Sequence, residues 1–337
     1  MKSILASSLL LTSLFAISHP ALAHDPTPAK PASAPAVPTK TPQWQDAKID
    51  LAAFNRDLIH GPLTADIVLY VPTNFDAKFN KVSLPLMLDS LRHAKAIFRA
   101  ADVQLRLKAV RIGAIDPRHL QINANPYPTI PDTEYINSYQ TSQRHPTPLS
   151  DLAHEAFDTI IEPDTDNPRT IYLIALQDVF MPFIDPVDER NWTIKMVRTG
   201  GLSFPSYSYG TTIPNRLRGV MTITNLSTPN RLERTVAHEL GHKLINVSHE
   251  YRTTDPAHEV RAEGGLMLYG NGTDIESGPA GRFHKERLHA SPYLYRINAQ
   301  GQKIWNADYQ DGGHYYDPIY GQHVVHFSGA PSRNPDW

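Results

Sequence analysis

Residues 235–250 read TVAHELGHKLINVSHE, and within them stands His238-Glu239-Leu240-Gly241-His242. On a helix, side chains four apart lie on one face a turn apart, so His238 and His242 can present two imidazole nitrogens to a single tetrahedral Zn2+. Glu239 then sits beside the metal, where a carboxylate can take the proton of a zinc-bound water whose pKa has fallen to roughly 7. The surrounding pattern predicts the helix. Leu232, Val236, Leu240 and Leu244 recur at every fourth position, with Ala237 and Gly241 on the adjoining strip. Thr228-Pro229 supplies a capping hydroxyl followed by proline at the first helical position.

A catalytic zinc takes a third protein ligand and keeps a fourth position open. His249 lies seven residues beyond His242, which on a continuing helix is about 10 Å further along the axis, so the chain must turn for it to bind. Asn246 is the expected pivot, because asparagine tolerates the left-handed conformation that ends helices. Glu259 and Glu263 compete for the role, in a His, His, Glu set. The segment from Arg252 to Glu263 has poor helical periodicity and contains Pro256, which favours His249 over either glutamate.

HELGHKLINVSHE resembles the metzincin zinc-peptidase signature HExxHxxGxxH, with one residue inserted before the turn and Asn246 in the glycine position. Further on, Gly264-Gly265-Leu266-Met267-Leu268-Tyr269 resembles the methionine turn that underlies the zinc site in that clan. Its Met-x-Tyr order is similar to astacins and serralysins, as is His249-Glu250 to the astacin order. The chain lacks the cysteines that astacins use, so the resemblance is to the clan and not to that family. The resemblance implies an α+β fold, with a twisted mixed sheet packed on the active-site helix and a second long helix, and a smaller C-terminal part. It also implies one Zn2+ held by His238, His242 and His249, Glu239 as the base, Met267 and Asn246 in structural roles, and Tyr269 steadying the transition state. The activity implied is hydrolysis of peptide bonds in a peptide or protein substrate. A zinc amidase or deacetylase acting on non-protein amides would use the same chemistry, and a non-catalytic zinc-binding protein would have no use for Glu239.

Outward from this centre, the N-terminal stretch reads as an address. Lys2, an apolar run from Ile4 to Ile17 and Ala21-Leu22-Ala23 form a signal peptide with cleavage expected after Ala23, hence export to a periplasm or the outside. Residues 24–45 are a Pro/Ala-rich linker or pro-segment. Residues 46–290 are read as the zinc peptidase-like domain and 291–337 as its C-terminal extension. The apolar run is too short for a membrane span, and a net charge of −2 gives no reason to expect nucleic acid as a partner.

Periodicity places a buried strand at Ala65–Val71 and a helix from about Ser83 to Ala101. A half-buried strand follows, with Val103, Leu105, Leu107 and Ala109 inward and Gln104, Arg106 and Lys108 outward. Two more strands are expected, at Thr170–Leu176 and Gly219–Thr224. The stretch from Asp116 to Pro148 reads as a surface insertion. His154-Glu155-Ala156-Phe157-Asp158 imitates a metal motif, but it belongs to the solvated side of a helix whose buried side carries Ala153, Ala156, Phe157 and Ile160. His314, His323 and His326 do not form a convincing second site, since the last two flank a pair of valines in a strand pattern and point to opposite faces. The clan resemblance implies that the strand before the zinc helix is the sheet edge where an extended substrate pairs.

Overall fold

Leu63–Pro72 (LTADIVLYVP) is strand β2, buried along all of its ten residues. A strand flanked by strands and covered on both faces needs apolar side chains on both, and this one has them. The computed structural model describes residues 41–75, 82–123, 151–162, 169–186, 192–203, 219–224, 229–245, 265–267, 275, 284–285 and 288–306. All of these fall in one unit, Lys40–Trp337. It opens with β1 (Gln45–Asp46) and the short helix α1 (Leu51–Phe54). The fold has already begun at Gln43, whose N–H donates to Ala114, and Trp44, whose indole N–H donates to the Ile160 carbonyl at 2.8 Å.

Parallel neighbours cannot be joined by a tight turn, and α2 (Leu84–Ala100) is the crossover from β2 to β3 (Val103–Gly113). Ser83 stands at its N-cap and a proline in its first turn, while Met87, Leu91, Ala94 and Phe98 form its buried face. Full burial of Met87, Leu91 or Phe98 stabilises the fold by about 1.5–3 kcal/mol each. A 3-10 turn (Pro117–Leu120), β4 (Gln121–Asn123) and α3 (Asp151–Ile160) come next. Strands β5 (Thr170–Leu176), β6 (Asp178–Pro186), β7 (Trp192–Arg198), β8 (Gly201–Ser203) and β9 (Val220–Thr224) lead to α4 (Pro229–Ile245). The hairpin β10 (Leu294–Ile297) and β11 (Lys303–Trp305) closes the described chain.

The main sheet runs β1-β3-β2-β5-β9-β8, parallel through β3, β2, β5 and β9 and antiparallel at both ends. The architecture is mixed α+β. Partner strand β5 starts only at Asp66, so the first residues of β2 are left open on that side, and β10 pairs there through Thr64 and Ala65. Strands β4, β6 and β7 form a second small sheet. Because side chains alternate, each central strand feeds two cores. Ile67, Leu69, Ile171, Leu173, Met221 and Ile223 pack with α2 and α4, whereas Val68, Tyr70, Tyr172, Ile174 and Val220 pack with α3.

Three expectations are corrected. Strand β3 does not keep one alternation, because the pairing with β2 shifts by a residue between Ile67 and Val68. Past this bulge Val110 joins the α2 core and Ala109 turns to the other. Gln104 is buried rather than solvated, since it replaces water with the backbone of Ile59, accepting at 2.8 Å and donating at 2.9 Å. The stretch after Asp116 does not begin as a surface insertion: His119, Leu120 and Ile122 are buried, and the Asp116 carboxylate caps the 3-10 turn. Residues 124–150 lie outside the described residues.

Candidate metal centre

Helix α4 has two dissimilar sides. Val236, Ala237, Leu240, Leu244 and Ile245 are buried against the sheet and α2. His238 and His242 come together on another side, with ring centroids 4.6 Å apart, planes at 81° and Nε2 atoms separated by 3.1 Å. The Nδ1 of His238 lies 2.6 Å from the Leu266 carbonyl oxygen. A carbonyl only accepts, so the neutral ring carries its proton on Nδ1 and turns the lone pair of Nε2 toward His242. Burial, with the neighbouring His242 adding to it, holds His238 well below the usual imidazole range, which keeps it in the ligand form.

This donor set fits a zinc ion. Two imidazole nitrogens on one tetrahedral zinc stand roughly 3.3 Å apart, close to the spacing of the two Nε2 atoms. The carbonyl on the far nitrogen of His238 is the usual outer partner of a metal-binding histidine. Among the described residues no third His, Cys, Asp or Glu joins the pair. His249, Asn246, Tyr269, Glu259 and Glu263 lie outside the described residues, as do His314, His323 and His326.

Glu239 is 6% exposed, and burial pushes its carboxyl up to about 8. The backbone N–H of Ser203 and the positive charges of Lys243 and Arg234 oppose that rise without cancelling it. Strand β8 runs directly against this carboxyl. A Cβ added at Gly201 would lie 2.6 Å from Cγ of Glu239 and 2.7 Å from its Oε1, so only glycine admits the approach. Lys243, one turn beyond Glu239, is fully buried, and desolvation holds its ammonium well below the usual lysine range against the pull of Glu239. From the other side comes Met267, itself fully buried. A Cβ at Gly241 would lie 2.5 Å from its Sδ and 3.3 Å from Cδ2 of Leu266.

Four of the residues singled out from sequence, His238, Glu239, His242 and Met267, thus gather on or against α4. The sequence reading passed over Gly201, Ser203, Arg234 and Lys243. Lys243 had a legible signal, since it stands four residues after Glu239 and directly before Leu244, next to the buried stripe of the helix. Gly201 and Ser203 had none, because their contact with Glu239 spans 36 to 38 positions. The edge strand was misassigned: β9, directly before α4, lies inside the sheet between β5 and β8. Outside it lies β8, where Gly201, Leu202 and Ser203 face Ile223, Thr222 and Met221 in antiparallel register.

The imitation motif on α3 does other work. Glu155 accepts from Arg118 at 3.3 Å and lies 3.4 Å from His119 Nε2, joining α3 to the 3-10 turn, while Ala153, Ala156, Phe157 and Ile160 are buried. The sequence matches no known family model, and no curated protein matches it. No helix among the described residues is long and apolar enough to cross a membrane.

Proposed function

We propose that this chain is an exported zinc-dependent endopeptidase of metzincin type. The observation that carries the reading is the helix-borne pair of imidazoles, with Nε2 atoms 3.1 Å apart and one ring's proton committed to the Leu266 carbonyl, beside a buried carboxyl at the next position. A bound zinc supplies a Lewis acid and lowers the pKa of a coordinated water. His238 and His242 would hold it, with His249 as the third ligand. Glu239 would take the proton of the attacking water; its burial raises its proton affinity toward the range suited to a base working near neutrality. Tyr269 would donate to the developing oxyanion. Strand β8 is one edge of the main sheet among the described residues and runs against Glu239, which supports an extended peptide added antiparallel along it and led past the base. The mixed sheet packed on α2 and α4, with Met267 against Gly241, supports the metzincin comparison.

The test pairs metal content with casein cleavage in the wild type and in Glu239→Gln. The wild type is expected to bind about one zinc and to cleave casein; Glu239→Gln keeps the metal and loses about 10²–10⁴ in rate. Zinc binding without casein cleavage would point to a non-protein amide as substrate. Titration of His249→Ala beside Glu263→Ala decides the third ligand, and tight binding by His249→Ala would remove the metzincin assignment.

A further inference from the structure

One turn before His238 on the same helix, the guanidinium of Arg234 donates through Nη2 to the Leu266 carbonyl oxygen at 3.0 Å. That oxygen is the one that receives Nδ1 of His238 at 2.6 Å. A carbonyl oxygen has two lone pairs, and here two donors four residues apart on α4 converge on it. Leu266 is fully buried. Water is therefore poorly placed to replace either donor.

We propose that Arg234 is a positioning residue of the metal centre: by clamping the Leu266 carbonyl it holds the partner that orients the His238 imidazole. The next residue, Met267, is held by packing, its Sδ standing where a Cβ on Gly241 would need to be. Three successive points of α4, at Arg234, His238 and Gly241, thus grip the 266–267 turn. Without Arg234, among the described residues that carbonyl answers only to the ring it orients. Arg234 also has a cost, since its positive charge opposes a second cation nearby, and it adds to the forces that keep His238 neutral. Positioning and repulsion predict opposite signs for the same variant, which makes the inference decidable.

The inference rests on the zinc reading above, and the experiment separates the two. Zinc affinity of the full chain is measured by competition with a chromophoric chelator, together with the visible spectrum of the Co2+-substituted protein and the melting of the metal-free form. Arg234→Met is expected to weaken zinc binding about tenfold, the lower end of what an outer partner is worth, and to shift the Co2+ band. Arg234→Lys, which keeps the charge and one donor, is expected to weaken it by a smaller factor. Zinc affinity in Arg234→Met equal to or above that of the wild type, with an unchanged Co2+ band, overturns the inference. Should Arg234→Met fail to melt cooperatively, Arg234→Lys decides alone: weakened zinc with a shifted band supports the inference, and wild-type values overturn it. A folded wild-type chain that takes no zinc sinks the zinc reading itself, whereas wild-type binding beside an indifferent Arg234→Met sinks only the role of Arg234.

Discussion

Two carboxylates are almost equally hidden in this molecule and behave in opposite ways. Asp66 on β2 is 2% exposed and Glu239 on α4 is 6% exposed. Burial raises both. At Asp66 it is overcome: Arg106 donates from Nε at 2.7 Å and Nη2 at 2.8 Å, Tyr295 donates its hydroxyl at 2.8 Å, and Lys303 closes the set. Its carboxyl is held below the ordinary aspartate value. At Glu239 the compensation is one backbone N–H and two charges, of which Lys243 is itself driven toward neutrality by burial, so the carboxyl stays high. The first arrangement ties the C-terminal hairpin to the centre of the sheet and is saturated with donors. The second leaves a carboxyl with unspent affinity for a proton beside two imidazoles, the feature on which the proposed activity rests.

The largest expected effect comes from pH and separates the two directly. With zinc removed by a chelator, Glu239 has a folded-state pKa raised above its unfolded one, so the stability it contributes is present below about pH 4.5 and is lost as pH rises toward 8. Each tenfold difference in proton affinity between the folded and unfolded chain is worth about 1.4 kcal/mol, which makes the full loss on the order of 5 kcal/mol. Glu239→Gln abolishes it, and denaturant midpoints of the two proteins between pH 5 and 8 should therefore diverge in favour of the variant. Lys243 works in the opposite sense and is itself pulled on by Glu239, so the difference between the two proteins reports Glu239 together with its coupling to Lys243. Parallel profiles would show that Glu239 is not desolvated as described. Asp66, with its pKa lowered, contributes stability that is present above about pH 3.9 and lost as pH falls through its folded value.

Next in size is Asp66→Ala, which strands Arg106, Lys303 and the Tyr295 hydroxyl at once. The expected cost is about 3 kcal/mol, at the low end for a broken buried ion pair because Arg106 and Lys303 are each about one third exposed. Denaturant unfolding measures it, and zinc affinity should not change. An equal loss of zinc would mean that the two regions are coupled and do not differ as independent sites. The smallest effect on stability, about 1–3 kcal/mol, belongs to Gly201→Ala, since the added methyl must displace the Glu239 carboxyl or β8 itself. Catalysis is expected to suffer more than stability, by about 10²-fold, because misplacing a reacting group by an ångström costs that much. Wild-type turnover in Gly201→Ala would show that β8 does not constrain the base.

The sequence by itself determined the local elements. Helical spacing located α2 and α4, short apolar runs rich in β-branched residues located β2 and β5, and the four-residue interval brought His238 and His242 into one site with Glu239 beside them. Each of these depends on residues within a turn or two of one another, and periodicity reports such geometry directly. Only the tertiary structure decided that β8 and not β9 is an edge, that β10 closes on the open start of β2, and that a bulge reverses the faces of β3 after Lys108. It alone decided that Gln104 is buried, that Arg234 and His238 share one carbonyl, and that Glu239 and Asp66 part ways. Desolvation and its compensation are set by what other segments bring to a position: Ser203 and Gly201 to Glu239, Arg106, Tyr295 and Lys303 to Asp66. Those partners lie tens to hundreds of residues away, where no local pattern in the chain records them.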